Sequence, residues 1–140
     1  MILLAENIFR IIYRTKREII VAKYVDGFVV PVPKKNFEKY KKMANLFGKI
    51  CREYGALEYV ECIADDVKKG KITSFPRSVK LKAGEIVIFS YVVYKSRAQR
   101  DSVNKKMMKD PRLAKMMNPK KLPFDGMRMF WGGFKAFISL

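Results

Sequence analysis

Residues 24–55, YVDGFVVPVPKKNFEKYKKMANLFGKICREYG, contain a predicted strand followed by the strongest helical pattern of the chain. The strand, Tyr24 to Val32, is rich in Val and Phe and ends among prolines. The apolar residues that follow are spaced three and four apart: Phe37, Tyr40, Ala44, Phe47, Cys51 and Tyr54. This spacing predicts an amphipathic helix of about five turns, which Gly55 ends.

Three more strands and a second long helix are predicted downstream. The strands are expected at Leu57 to Ala64, Glu85 to Tyr94 and Met127 to Phe137, and the helix at Ser96 to Met108 with Ser96 as its N-cap. Asp65 to Arg77 and Asn118 to Gly126 are predicted connections, and Asp110-Pro111 begins a short helix. The order β-α-β-β-α-β predicts a ferredoxin-like α+β fold with a four-stranded antiparallel sheet.

Gly132-Gly133 interrupts the last predicted strand. Glycine inside a strand is typical of a bulge or of a close approach by another part of the chain. Both interpretations fit the pattern.

Strand alternation predicts which side chains share a face of the sheet. The helix-covered face is assigned Val60, Cys62, Phe89, Phe130 and Phe134. The uncovered face is assigned Tyr24, Asp26, Phe28, Tyr59, Glu61, Ser90 and Trp131. An uncovered aromatic face indicates an interface, so two sheets are expected to pair in a homodimer and enclose a cavity. One bulge would invert this assignment.

The composition limits the chemistry. The chain has 140 residues, enough for one domain, and 30 Lys and Arg against 13 Asp and Glu give a net charge of +17. That charge fits either a solvated lysine-rich surface or a polyanion-binding protein. The absence of histidine excludes histidine-ligated metals, haem and histidine triads. Cys51 and Cys62 lack metal-ligand spacing and fit free thiols in the cytoplasm.

Residues 1–22 differ from the remainder, which is assigned to a single domain over 23–140. Arginines at helical spacing oppose isoleucines in this segment, which could form an amphipathic helix. The segment is interpreted as a packed or loose extension, as a helix on a membrane surface, or as an upstream extension that the fold does not need. The segment carries too many charges to span a bilayer.

The candidate site residues are chosen for their chemistry. Asp26, Glu61 and Cys62 are the candidate catalytic groups, because a carboxylate or thiolate at a pocket can act as base or nucleophile. The candidate ligand-binding residues are Tyr59, Ser90, Arg100, Asn104, Arg128 and Trp131. A buried carboxylate needs a partner, which Arg100, Lys71 or Arg128 could supply. Arg100 and Asn104 are one helical turn apart and are expected to converge on the loop at residues 124–126. No metal site and no cofactor are predicted.

Four blocks of the sequence resemble the YbaA-like family of small bacterial proteins of unknown function. These blocks are KYVDGFVVPVP (23–33), GALEYVECIADDVKKGKITSFP (55–76), VIFSYVVYKSRAQRDSVNKKMMKDPR (87–112) and PFDGMRMFWGGF (123–134). The family lies in the dimeric α+β barrel superfamily. The resemblance therefore implies a ferredoxin-like protomer and a homodimer joined through its sheets, a dimeric α/β barrel. It implies no particular activity.

Three functions remain open at this point. The first is a small-molecule binder or cofactor-independent enzyme that uses a cavity lined by Asp26, Glu61, Tyr59 and Trp131. The second is a structural or stress-response dimer without catalysis. The third is a basic nucleic-acid-binding module, whose affinity would fall steeply with salt.

Overall fold

The computed structural model describes residues 23–140, so the predicted extension at 1–22 lies outside the described residues. The strands are β1 (Tyr24–Pro33), β2 (Glu58–Ile63), β3 (Glu85–Tyr94) and β4 (Phe130–Lys135). The helices are α1 (Phe37–Glu53), α2 (Phe75–Ser78), α3 (Arg97–Met108) and α4 (Pro111–Met116). Single 3-10 turns occupy Lys34–Asn36 and Pro119–Lys121.

The four strands form one antiparallel sheet in the order β2-β3-β1-β4. The two central strands, β1 and β3, pair along their whole length from Tyr24 opposite Tyr94 to Pro33 opposite Glu85. The predicted α+β, ferredoxin-like arrangement is confirmed. It leaves β2 and β4 as the edge strands, and this places one wall of the candidate site at a sheet edge.

The capping residues that the sequence predicts lie at the ends of their helices. Gly55 adopts φ +117° directly after the last turn of α1, a conformation that glycine adopts at little cost. The hydroxyl of Ser96 accepts a hydrogen bond from the backbone N–H of Gln99 at the start of α3. Asp110 caps α4 in the same way, with Pro111 in the first turn.

Two elements differ from the sequence-based expectation. The predicted connection at 65–77 contains α2, which Ser74 caps by accepting from the N–H of Arg77. The last strand begins at Phe130 rather than at Met127, because Arg128 is bound to Asp125 in the preceding turn. Such local side-chain bonds compete with strand pairing.

The predicted assignment of the two sheet faces is wrong, because the structure inverts it. The helices cover the face that carries Tyr24, Asp26, Phe28, Tyr59, Glu61, Ser90 and Trp131. Val30 and Ile88 of this face pack against Tyr40 and Ala44 of α1. Asp26 and Glu61 can lie beneath the helices because each carboxylate accepts hydrogen bonds there. Hydropathy alone does not reveal these donors.

The opposite face carries the residues that had been assigned to the helix-covered core. One end of it is covered by the segment after β2, through Val79 packed on Val29 and Val87. Phe89 and Phe130 flank the covered Val29 on the two neighbouring strands, and Phe134 lies farther along β4; these three rings are 40%, 46% and 65% exposed. We call these three phenylalanines the open-face patch.

The structure around Gly133 distinguishes a bulge from a close approach at Gly132-Gly133. The pairing of β1 with β4 is continuous from Tyr24–Lys135 to Val29–Phe130, so no bulge is present in this ladder. A Cβ atom on Gly133 would lie 2.3 Å from the hydroxyl oxygen of Tyr24. The glycine is therefore required for the close approach of the Tyr24 ring.

Candidate functional site

An open groove of about 1140 Å³ lies between α1 and the edge strand β2, on the helix-covered side of the sheet. Its apolar surface includes Phe37, Ala44, Leu57, Ile63 and Ile88. Its polar and ionisable lining residues are Tyr40, Lys41, Asn45, Lys49, Arg52, Glu53, Glu58, Tyr59, Glu61 and Cys62. We call this the α1–β2 groove.

Glu61 is the central polar group of the groove. Tyr40 of α1 donates a hydrogen bond to Glu61 Oε2 at 2.8 Å, and Tyr59 of β2 donates to Oε1 at 2.5 Å. Each carboxylate oxygen thus has one phenolic donor, from opposite walls of the groove. We call these three residues the Tyr–Glu–Tyr cluster.

Gly48 allows Tyr59 to reach this position. Tyr59 lies against α1, with its ring centroid 5.8 Å from that of Phe47. A Cβ atom on Gly48 would lie 2.4 Å from Cδ1 of Tyr59, far inside van der Waals contact. The Tyr59 ring therefore packs on α1 at Gly48, a buried position of the helix without a side chain.

Tyr40 is fixed on the other wall. Its side chain is 5% exposed, and its ring packs edge-on against Phe124 with centroids 5.8 Å apart. Ser90 of β3 is the strand neighbour of Glu61 on the same face and is also buried. The carboxylate therefore projects from a well-packed floor.

The electrostatic environment of Glu61 has two opposing parts. Burial raises the pKa of Glu61 above its ordinary value, and the hydrogen bonds from Tyr59 and Tyr40 partly oppose this rise. Burial and the neighbouring carboxylate raise the pKa of both tyrosines, so their hydroxyls stay protonated and act as donors. Within residues 23–140, no Lys or Arg lies within ion-pair distance of Glu61.

Asp26 belongs to a second polar cluster beneath α3. Its side chain is 2% exposed and accepts a hydrogen bond from Nη1 of Arg100 at 3.0 Å. The guanidinium lies 5.0 Å from the ring centroid of Tyr24 and 5.9 Å from that of Trp131. Of the three basic residues proposed as partners of a buried carboxylate, Arg100 is the one that makes this contact.

The structure therefore separates the candidate residues into different places. Glu61 and Tyr59 meet in the α1–β2 groove, with Ser90 as the strand neighbour of Glu61, whereas Asp26, Arg100 and Trp131 meet beneath α3. Cys62 follows Glu61 on the edge strand and is exposed at the rim of the groove.

Arg128 lies apart from both clusters, and Asn104 lies on α3 one turn after Arg100. Arg128 donates to both carboxylate oxygens of Glu85, at 2.7 and 2.6 Å, and to Asp125 at 2.9 Å. This is a structural clamp between β3 and the loop before β4. The expected convergence of Arg100 and Asn104 on that loop is wrong, because Arg100 points to Asp26 while Arg128 holds the loop.

Sequence reasoning missed Tyr40 and Gly48 as site residues. Tyr40 fits the apolar stripe of α1 and was assigned to the core on that basis. The available signal was the glycine itself, since glycine within a strong amphipathic helix is costly unless another group packs against it.

The described residues also limit what the site could hold. In residues 23–140, no three Cys, Asp or Glu side chains come together in a group able to bind a metal ion. Among the helices of this described part of the chain, none is long and apolar enough to cross a membrane.

The fold and the groove define an α+β protein of the ferredoxin-like class with a candidate ligand site between α1 and an edge strand. The chain belongs to the family described as "Protein of unknown function (DUF1428)", whose model matches residues 23–126. It is 47% identical over 117 residues to "Uncharacterized protein YbaA" of Escherichia coli strain K12, covering 84% of this chain and 98% of that relative. The YbaA protein of Shigella flexneri matches to the same extent.

Two solved structures share the fold at low sequence identity. One is a mutant form of SnoaB, a cofactor-independent oxygenase from Streptomyces nogalater, with a TM-score of 0.50 and 11% identity over 84% of this chain and 96% of that one. The other is a dimeric ferredoxin-like protein from an uncultured marine organism, with a TM-score of 0.51 and 11% identity over 84% and 98%. At this identity the likeness shows the fold alone.

Proposed function

We propose that this protein is a small-molecule-binding, enzyme-like homodimer whose ligand occupies the α1–β2 groove of each protomer. The observation that carries the proposal is the carboxylate of Glu61, held between two tyrosines in a large groove. This location replaces the cavity between paired sheets that the sequence had predicted, since the carboxylates lie on the helix-covered side.

The lining of the groove has the composition of a ligand site. Small-molecule sites combine mostly apolar walls with a few fixed polar groups, typically in volumes of about 300–1,000 Å³. The groove has apolar walls from Phe37, Leu57 and Ile88 and one central carboxylate. Its volume exceeds that of most ligand pockets, so a ligand would fill only part of it.

Glu61 also supplies what catalysis without a cofactor requires. Such chemistry depends on a proton-transfer group within reach of the substrate. The cofactor-independent oxygenase SnoaB shows that a protein of this fold can be an enzyme, and this supports the enzyme-like part of the proposal. Glu61 is the residue of this chain to which we assign the proton transfer.

An uncharged apolar fluorescent probe, Nile red, tests whether the groove binds small molecules. Asn45 is exposed on α1 and lines the groove, so Asn45→Trp is expected to fill the groove and weaken probe binding at least about tenfold. Lys42→Trp is the matched control, because Lys42 is exposed on the same helix but outside the lining. Equal probe affinity in the two variants would contradict the proposed location.

The open-face patch is the surface to which we assign dimerisation. Exposed aromatic side chains grouped on one face of a sheet mark an interaction surface. Gly27 of β1 lies between Phe89 and Phe134 on this face, and a Cβ atom there would meet nothing within 4 Å, which leaves space for side chains of a second copy. The dimeric ferredoxin-like protein of the same fold supports this pairing.

Phe134→Glu is expected to convert the dimer to a monomer, because it places a charge on the 65% exposed ring position at the centre of the proposed contact. Light scattering coupled to size exclusion should give the mass of two chains for the unchanged protein and of one chain for the variant. Met108→Glu on α3, where the side chain is 83% exposed, should remain dimeric. An unchanged protein with the mass of one chain would refute the dimer.

A further inference from the structure

Resting on the proposed function, we propose that the ligand of the α1–β2 groove is a planar molecule with a weakly acidic hydroxyl, a phenol or an enol, and that Glu61 removes its proton. In this step the ligand O–H bond breaks and an O–H bond forms on a carboxylate oxygen of Glu61. The negative charge passes from Glu61 to the ligand oxygen. No oxidant or further reactant is required.

The hydrogen bonding of Glu61 leaves room for a third donor. An ionised carboxylate has two oxygens with about four acceptor positions. Tyr40 and Tyr59 occupy one position on each oxygen. The remaining positions can accept a hydroxyl from a ligand in the groove, and the two tyrosines hold the carboxylate in place for it.

The charges of the lining distinguish between ligand classes. A ligand that arrives as a carboxylate or phosphate would be repelled by Glu61. A cationic ligand would be repelled by the α1 wall, which carries Lys41 and Lys49. A neutral hydroxyl compound avoids both penalties, and Lys41 and Lys49 then stabilise the anion that forms after proton transfer.

Arg52 and the other two carboxylates of the groove, Glu53 and Glu58, are engaged elsewhere. Arg52 donates to the backbone carbonyls of Ala56 and Leu57 at the end of α1. Glu53 is paired with Arg112 at 2.8 Å, and Glu58 lies 3.5 Å from the hydroxyl of Tyr91. Glu61 is therefore the partly buried carboxylate of the lining, and its raised pKa makes it a stronger base toward a hydroxyl than an exposed glutamate.

The probe for this proposal is 4-nitrophenol, because its anion absorbs at a longer wavelength than its neutral form. At about pH 6, where the free probe is mostly neutral and an ordinary glutamate is ionised, saturating protein is expected to raise the ionised fraction of bound probe severalfold. Glu61→Gln should abolish that rise. Glu38→Gln, which changes an exposed carboxylate of α1 outside the groove lining, should leave it intact.

The Glu61→Gln result separates proton transfer from simple attraction of an anion. If the lysines alone favoured the ionised probe, removing the negative charge of Glu61 would increase the ionised fraction rather than abolish the rise, and this outcome would overturn the proposal. Bound probe that remains neutral would overturn it too. In either case, if Asn45→Trp still weakens probe binding, the proposed function remains supported. If Asn45→Trp has no effect on probe binding, both the proposed function and the proton-transfer proposal are refuted.

Discussion

Replacing Arg100 with methionine is expected to lower the free energy of unfolding by about 3–5 kcal/mol at neutral pH, because it strands a buried carboxylate. Asp26 is 2% exposed, and its hydrogen bond from Arg100 spans 3.0 Å. Methionine keeps much of the packing against Tyr24 and Trp131 while removing the charge. Urea denaturation of the variant and the unchanged protein measures the difference.

The effect of pH and a second substitution identify the cause of that loss. Burial raises the pKa of Asp26, and Arg100 opposes the rise, so Arg100→Met raises it further. A raised pKa means that the folded state binds the proton more tightly than the unfolded chain does. The deficit should therefore be largest at neutral pH and shrink as the pH falls toward about 4, the ordinary value for aspartate.

Asp26→Asn added to Arg100→Met should recover most of the lost stability, since no buried charge then remains. Asp26→Asn alone should be destabilising, because it removes the buried anionic partner of Arg100 and leaves only the exposed Asp101; the Arg100 side chain is only 10% exposed. If the double variant is no more stable than Arg100→Met, the loss comes from packing rather than from a stranded charge.

The element order was predictable because each element carries a local signal. The amphipathic spacing of α1, the Ser96 cap and the left-handed position at Gly55 act within a few residues of one another. No comparable local signal shows which face of the sheet the helices cover. Both faces of these strands carry large apolar side chains, so hydropathy does not show which face the helices cover.

Asp26 and Glu61 biased the prediction toward the wrong face, since charged residues are usually exposed. Their donors come from distant parts of the chain: Arg100 is 74 residues from Asp26, and Tyr40 is 21 residues from Glu61. The hydrogen bonds that offset the burial of these carboxylates therefore depend on tertiary contacts. The candidate residues Glu61 and Tyr59 could thus be named from their chemistry, but the groove in which they meet could not.

Gly48→Ala is expected to destabilise the protein by about 1–3 kcal/mol, as overpacked side chains do, because the new Cβ atom overlaps the Tyr59 ring. Helix propensity alone predicts the opposite sign, a gain of about 1 kcal/mol on replacing helical glycine with alanine. Displacement of Tyr59 should also release its hydrogen bond to Glu61 and weaken probe binding in the groove. Gly126→Ala is the control, since its Cβ atom would make an ordinary contact of 3.7 Å with Leu122.

The sign of the Gly48 substitution should reverse when the ring is absent. In a Tyr59→Ala background, Gly48→Ala no longer meets Cδ1 and Cε1 of the tyrosine, so only the helix preference for alanine remains. A double-mutant cycle by thermal and urea denaturation should therefore give a coupling free energy of about 2–4 kcal/mol between the two positions. A coupling near zero would mean that α1 shifts to accommodate the methyl group, and that Gly48 does not set the position of Tyr59 in the groove.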